Sequence, residues 1–420
     1  MEPVSCIAGI DVHKKMLAVV VRKQCGDAVE YIKRAFGTTK SEIENLAAWL
    51  QHHGVTDVVM ESTAQYWRPV WHGLEPHFHL HLTHPMRTRA PRGRKRDFRD
   101  AQRLADRWHS KDLEESFIPG AEQRAWRALT RGRVQLRRKI TLVRNHVEGL
   151  LEHGGIKLTA VVSDAFGVSG WAILEKIAAG TTDVEQLLVE ARGQLRKKKE
   201  ELREALAGRL EPAYQILLKQ HMRQVQLYRE QIEQLNETLA TAMRDFVPIL
   251  VRLMKVPGID LYAAEELLAE IGPQAAAFPT AEQFASWVGL CPGSQESAGI
   301  NHSDRSAKGN RYLRHAFCEI AWPAIRTKDT FFSALFHRLK PRLGGKGAAW
   351  AVAHRIGKVV WLILHEQVEY EEKGQAPLNE STLARKLRRL ARQLTRQGVS
   401  LKGLIEKGLI DQDLALGVIG

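Results

Sequence analysis

Carboxylates that share a metal ion must converge, and four within the first hundred residues stand where chain elements begin or end. Asp11 closes the apolar run CIAGID, and a second apolar run, MLAVVV, follows the turn VHKK. Glu61 closes VTDVVMES in the same way. Asp97 and Asp100 stand three apart at the start of DFRDAQRLADRW, a spacing that puts both on one helix face. Each acid taken singly has an ordinary reading, since Asp ends strands as a turn residue and acids favour helix N-termini for dipole reasons. What outweighs that reading is their setting, with Arg87, Arg89, Arg92, Arg94, Lys95, Arg96, Arg99, Arg103 and Arg107 crowded around the last pair. Such cations draw in a phosphodiester, and the four acids could hold two magnesium ions about 3.5 to 4 Å apart that stabilise its attacking and leaving oxygens.

A second constellation is WVGLCPGSQESAGINHSDRSAKGNRYLRHAF, from Trp287 to Phe317. Its Gly- and Ser-rich stretch carries Ser294, Ser297, Ser303 and Ser306, and the helix after it presents Lys308, Arg311 and Arg314 in its first turns. A phosphate docked at that helix start would leave a serine hydroxyl in line for attack. A third segment, KVPGIDLYAAEELLAEIG from Lys255 to Gly272, has the Pro-Gly turn and following helix of a helix-hairpin-helix. Asp260 stands there where a second glycine is usual, and its carboxylate would oppose an anion.

The elements that must position these groups change character along the chain. Up to about Pro85, short apolar runs (CIAGIDV, MLAVVVR, EYIKRAF, VTDVVMES, FHLHLTH) alternate with the amphipathic SEIENLAAWLQHH, which predicts an α/β sheet. From Ala121 the pattern is helical: Trp126, Leu129, Leu136, Ile140, Val143, Val147 and Leu150 form one stripe, closed by Gly154 and Gly155. A second stripe is Leu195, Leu202, Leu206 and Leu210, and Pro212 then predicts a kink or turn. Leu218, Val225, Ile232 and Leu239 fall seven apart, with Tyr228 and Leu235 between and His221 interrupting, which predicts a coiled-coil hairpin or a dimer seam. Beyond Gly272 the chain is expected to stay helical, ending in the basic tail RKLRRLARQLTR from Arg385 to Arg396. The expected division is 1–118, an α/β metal-binding domain; 119–250, a helical coiled-coil linker; 251–370, a mainly helical domain with the serine loop; and 371–420, the tail.

Composition fits a modular phosphate-backbone binder. A chain of 420 residues suggests two or three domains, and 62 Lys and Arg against 48 Asp and Glu leave a formal charge of +14. No run approaches the roughly 18 consecutive apolar residues of a membrane helix, and the N-terminus lacks the apolar region of a signal peptide. A cytoplasmic protein without a membrane partner is expected. Cys6, Cys25, Cys291 and Cys318 are scattered without CxxC spacing, and so read as buried thiols.

The set GIDVHKK, ESTAQYW, KRDFRDAQRLA, VPGIDLYAAEELLAEIG and GLCPGSQESAGINHSDRSAKGNRYLR, in that order, resembles the DEDD transposases of insertion-sequence family one-ten. These are bridge-RNA-guided recombinases, related to the Piv-type DNA invertases, and the likeness runs from about residue 5 to 365. The resemblance implies a RuvC-like (ribonuclease H-like) domain whose Asp11, Glu61, Asp97 and Asp100 bind Mg2+. It makes Ser297 the nucleophile, which forms a covalent phosphoserine and frees a 3′-hydroxyl in a site composed between protomers. It further implies donor and target DNA, a noncoding bridge RNA that pairs with both, and a homo-oligomer, a dimer or a tetramer joined by the coiled coil. Two positions depart from the family. Ile300 stands where a lysine is common, which passes any phosphate-neutralising role to Lys308, Arg311 or His302, and Ala64 replaces a usual glycine after Glu61. Two other readings of the same residues remain: a metal-only nuclease or Holliday-junction resolvase with Ser297 a loop residue, and a nonenzymatic RNA-binding scaffold.

Overall fold

The computed structural model describes residues 5–374, apart from 27, 63, 84–96, 292–294, 298, 299, 304, 305 and 307, and beyond 374 only Arg396. Arg87, Arg89, Arg92, Arg94, Lys95, Arg96, Ser294 and the basic tail except Arg396 therefore lie outside the described residues. Two compact units are distinct, Met1–Pro119 and Gly120–Gly420. The first is mixed α/β and the second almost entirely helical.

Unit one is a five-stranded sheet of β1 (Ser5–Val12), β2 (Leu17–Cys25), β3 (Ala28–Phe36), β4 (Asp57–Glu61) and β5 (His79–Thr83), in the order β3-β2-β1-β4-β5. The first three strands pair antiparallel, while β4 lies parallel to both β1 and β5. Between them run α1 (Lys40–His52) and α2 (Trp67–Leu74), and α3 (Asp97–His109) follows β5. Ala8, Ile10, Val12, Leu17, Val19, Val58 and Met60 line one face of the sheet and share a core with Ile43, Leu46 and Leu50 of α1 and Val70, Trp71 and Leu74 of α2. Ile7 and Val59, on the other face, pack against Leu104 and Ala105 of α3. Burial on both faces explains why β1 and β4 read as continuous apolar runs.

Unit two begins with the long α4 (Ala121–His153), which ends at Gly154, with Gly155 at φ +68°. Four short helices follow: α5 (Leu158–Val161), α6 (Val168–Ala178), α7 (Val184–Leu188) and α8 (Lys199–Ala205), with a 3-10 turn Gly193–Lys198 before the last. The stripe Leu195 to Leu210 is thus broken between a 3-10 turn, a short helix and a loop, although Leu202, Leu206 and Leu210 all reach one core. Pro212 opens α9 (Pro212–Ala242), where its missing N–H costs nothing.

α9 returns antiparallel along α4: Tyr214 stacks on His153, His221 lies against His146, and Asn236 meets Arg133. The heptad residues Leu218, Val225 and Leu239 are buried inside the chain, and Ile232 and Leu235 half-buried. Most of the seam thus packs within one chain.

The remaining elements are α10 (Val247–Met254), α11 (Leu261–Ile271), α12 (Ala281–Val288), the hairpin strands β6 (Gln295–Ser297) and β7 (Ile300–Ser303), α13 (Arg311–Arg326) and α14 (Phe331–His365). The hairpin departs from the all-helical expectation beyond Gly272. α14 bends at Gly344 and is the one described helix long and apolar enough to cross a membrane. More than half of its apolar window is buried, with Val352, Ile356 and Val360 in a core with Phe284 and Phe317, which accounts for that composition. Cys6 is buried as expected, but Cys291 and Cys318 are only half-buried, and the side chain of Cys25 lies outside the described residues.

A buried ionic knot ties α4, α9 and α11. Arg133 has no exposed surface. Its guanidinium donates to Glu265, to Asn236 Oδ1 at 3.1 Å and to the Tyr262 carbonyl at 2.9 Å, and lies 4.7 Å from the Tyr262 ring centre. Glu266 approaches Arg133 at 3.6 Å and Arg137 at 3.8 Å, beyond hydrogen-bond range, and its Oε1 is buried without a hydrogen-bond partner. Burial pushes its carboxyl from 4.5 up to about 7, more than the two arginines can offset. A folded-state value above the unfolded one means that stability from this group is complete below about pH 4.5 and is lost as pH rises to about 7. That loss should reach roughly 3 kcal/mol. Urea midpoints taken at pH 5 and pH 8 should show that Glu266→Gln removes this part of the pH dependence; an unaltered dependence would place the titration elsewhere.

Candidate metal centre and serine loop

The turn from β1 to β2 closes when the His13 N–H donates to the Met16 carbonyl at 3.0 Å. This fixes the segment just beyond Asp11. Alternation along β1 puts Ile7, Gly9 and Asp11 on the sheet face covered by α3. A Cβ on Gly9 would lie 2.0 Å from the Ala101 carbonyl oxygen and 3.0 Å from the Ala105 nitrogen, so α3 rests directly on strand backbone. Asp106, farther along α3, is held by Arg22 at 3.3 Å and by the Tyr31 hydroxyl at 2.7 Å. Pinned at its middle and far end, the helix brings its first residue, Asp97, to the end of β1.

There the His13 Nε2 lies 3.2 Å from Asp11 Oδ2 and 3.4 Å from Asp97 Oδ1. Ligand atoms of Asp11, His13 and Asp97 all fall within 4.8 Å of one another, and Asp11 is 7% exposed. Two carboxylates suit a divalent cation, oxygen being the donor for hard ions, and the imidazole beside both is placed to hold them. The residues present therefore fit such an ion.

The other expected acids stand close by in the fold but outside that group. Ile10 pairs with Met60 across parallel strands, so Asp11 and Glu61 follow one another in register on the same face. Asp100 is engaged by Arg103, one turn further along α3. Arg99 is exposed on the same helix. The sequence reading missed His13, taken there as part of a turn. Its signal was the two-residue offset from Asp11, which returns a side chain to the same face where strand alternation persists. Ala64, three residues beyond Glu61, has φ +48°, a left-handed conformation that explains why glycine is usual there.

In unit two, Ser297 ends β6 and pairs with Ile300 across a two-residue connection. After the hairpin, a Cβ on Gly309 would lie 2.0 Å from the Val288 carbonyl oxygen, so the chain passes against the end of α12. Asn310 then caps α13, its Oδ1 accepting from the Tyr312 and Leu313 amides at 3.0 and 3.3 Å. Those amides are thereby taken, which leaves any phosphate to the cations. Lys308 is exposed, Arg311 donates to the Tyr312 hydroxyl at 3.0 Å, and Arg314 donates to Ser306 Oγ at 3.2 Å. The Asn310 amide also donates to the buried Glu270 at 2.8 Å, and Glu270 accepts from Arg131 of α4 at 2.6 and 2.9 Å. At the Pro-Gly turn, Asp260 caps α11 by accepting from the Ala263 amide at 2.9 Å, so its carboxylate occupies the place an anion would take.

Comparisons with known proteins cover both units. Residues 8–154 match the model of a DEDD transposase family, and residues 251–336 match that of the transposase IS116/IS110/IS902 family. A probable family 20 transposase of Pseudomonas aeruginosa is 26% identical over 302 residues, which cover 69% of this chain and 80% of the relative. An uncharacterized protein of insertion element IS110 from Streptomyces coelicolor is 33% identical over 98 residues, 22% of this chain and 24% of its own.

Two substitutions test the backbone beneath the carboxylates. Gly9→Ala should lift α3 from β1, lower stability by about 1 to 3 kcal/mol and abolish the thermal stabilisation conferred by divalent metal; metal stabilisation that survives would detach α3 docking from the centre. Ala64→Gly should instead raise stability by about 0.5 to 1 kcal/mol by relieving the left-handed alanine, read as a higher melting temperature.

Proposed function

Because this chain belongs to the IS110 family of transposases, enzymes that cut and rejoin DNA, we propose that it does so with a magnesium centre in a RuvC-like domain and a serine nucleophile. The observation that carries the reading is the meeting of Asp11 and Asp97, from elements far apart in sequence, on either side of one imidazole.

In this mechanism Asp11 and Asp97 would hold the ion, with Glu61 and Asp100 as its further oxygen ligands. Bound Mg2+ would supply charge stabilisation to the oxygens entering and leaving phosphorus. His13 orients both carboxylates, which makes it a positioning residue whose loss should cost about 10- to 100-fold in metal affinity. Arg94, Lys95, Arg96 and Arg99 draw the phosphodiester toward the acids, while Lys308, Arg311 and Arg314 neutralise it beside the serine loop.

Ser297 Oγ forms a bond to phosphorus as the bond from phosphorus to the 3′-oxygen breaks. The serine gives up its proton and the departing oxygen takes one up, leaving phosphoserine and a free 3′-hydroxyl. Attack by a 3′-hydroxyl on the phosphoserine reverses these steps and rejoins a strand. Donor and target would be chosen by pairing with a bridge RNA, and the two catalytic parts would meet in a dimer or tetramer. A DNA substrate would put the protein with the nucleoid in the cytoplasm.

Denaturing gels of the protein with labelled, suitably guided DNA test the assignment. Asp11→Asn and Asp97→Asn should each abolish strand cleavage and the covalent adduct, with DNA binding kept because binding is mostly backbone electrostatics. Ser297→Ala should lose the adduct and strand exchange, and Ser294→Ala should retain both. Cleavage without an adduct in Ser297→Ala would identify a metal-only nuclease, and an adduct persisting there would move the nucleophile to Ser294, Ser303 or Ser306.

A further inference from the structure

The segment between the two family matches, residues 155–250, contains a small helical body whose Leu158, Phe166, Ile173, Leu187 and Leu202 share one apolar core with Val147 of α4 and Leu218 and Val225 of α9. Across its surface runs RGQLRKKK, residues 192–199, in which Arg192, Arg196, Lys197, Lys198 and Lys199 are all exposed. Exposed cations are commonly matched by nearby acids. Here most of the matching is done by residues outside the run. Glu185 and Glu200 are engaged by Arg203, and Glu190 by Lys176 at 2.9 Å. Within the run, only Arg192 and Lys198 make salt bridges, at the long distances of 4.0 and 3.8 Å, and among the described residues Arg196, Lys197 and Lys199 make none. The run therefore carries more positive charge than its two long salt bridges, and the proximity of Glu200 to Lys199, offset.

The run is also held in place. The Arg192 amide donates to Ser169 Oγ at 3.0 Å, the Arg196 side chain donates to the Ala191 carbonyl at 3.2 Å, and Leu195 packs on the core beneath. Under it opens a cleft of about 510 Å3, lined by Ser163, Ser169, Arg192, Gln194 and Lys198 together with the first turn of α6. The one carboxylate in this lining, Asp164, is engaged by Arg144 at 3.3 Å and by the Phe166 amide at 3.0 Å. Hydroxyls, an amide and two cations stand among Val161, Val162, Val168 and Leu195 in this cleft, beside a fixed row of further cations, an arrangement that suits successive phosphates.

We propose that residues 192–199 and the cleft below them grip the phosphodiester backbone of duplex DNA, as an anchor separate from the residues that cut it. The choice of DNA rests on the family's substrate and not on the identity of the nucleophile. The test uses the full chain and an arbitrary-sequence duplex, with affinity measured against salt concentration. Replacing Arg196, Lys197, Lys198 and Lys199 by Gln should weaken binding about tenfold or more and reduce the slope of log affinity against log salt by about 0.9 for each phosphate no longer neutralised. The charge-keeping set Lys197→Arg, Lys198→Arg and Lys199→Arg should bind like the parent. An unchanged affinity and slope in the Gln variant would overturn the proposal, as would equal weakening in both sets, or weakening confined to a structured RNA of the same length. The phosphoserine assay on Ser297 is independent of this measurement, so either reading can fail alone.

Discussion

A helix can lie directly on a strand only where the strand has no side chain, and Gly9 meets that condition in the middle of β1. The candidate centre depends on it. Asp11 is placed by its strand and His13 by the turn after it, but Asp97 belongs to a helix that reaches the strand end only because its Ala101 carbonyl sits where a Cβ would be. Leu104 and Ala105 then seal the interface against Ile7 and Val59, and Asp106 fastens the helix to Arg22 and Tyr31. Preorganising two like-charged groups this closely is costly unless something positive or proton-donating stands between them, and the imidazole of His13 is so placed.

Much of this was legible from sequence, for identifiable reasons. Burial on both faces makes β1 and β4 continuous apolar runs, and acids at the ends of such runs stand out. The helix from Asp97 announced itself through its acidic start and apolar spacing. His13 did not, because a histidine in a turn is locally indistinguishable from a solvated one, and its role exists only once α3 has docked. The pairing of Asp100 with Arg103 escaped notice for the opposite reason: i,i+3 spacing permits two acids to share a face, and equally permits the next cation to capture one of them. The heptads from Leu218 specified an apolar seam but not its partner. That partner is α4, whose Val143 and Val147 join Leu218 and Val225 in one core. The hairpin at Ser297 was invisible, since strands of three and four residues, all polar but Ile300, carry no hydrophobic period.

The helical unit is held in register by charges that nothing in the local sequence marks for burial. Arg133 and Glu270 look like members of solvated helix faces, yet one is fully enclosed and the other nearly so. Removing such groups from water is expensive, and the return is geometric because each must meet particular partners at particular distances. Through Glu270, the cap of α13 at Asn310 is tied to Arg131 on α4. The helix that follows the serine loop thus starts at a position set by the longest helix of its N-terminal half.

The path of the chain around α4 and α9 has an evolutionary consequence. The chain leaves α4 at Gly154 and returns at Arg209, whose amide donates to the Gly154 carbonyl at 2.8 Å, while Gly208 passes so close to Gly154 that no side chain would fit. Everything from Gly155 to Gly208 is therefore an excursion whose two ends touch. Such an excursion can be lengthened or exchanged while the antiparallel pair that carries it keeps its register, so long as its replacement still covers Val143, Val147, Leu218 and Val225. A lineage of these enzymes could thus exchange a whole surface here in one step, with the separate core built around α11, α13 and α14 left as it was.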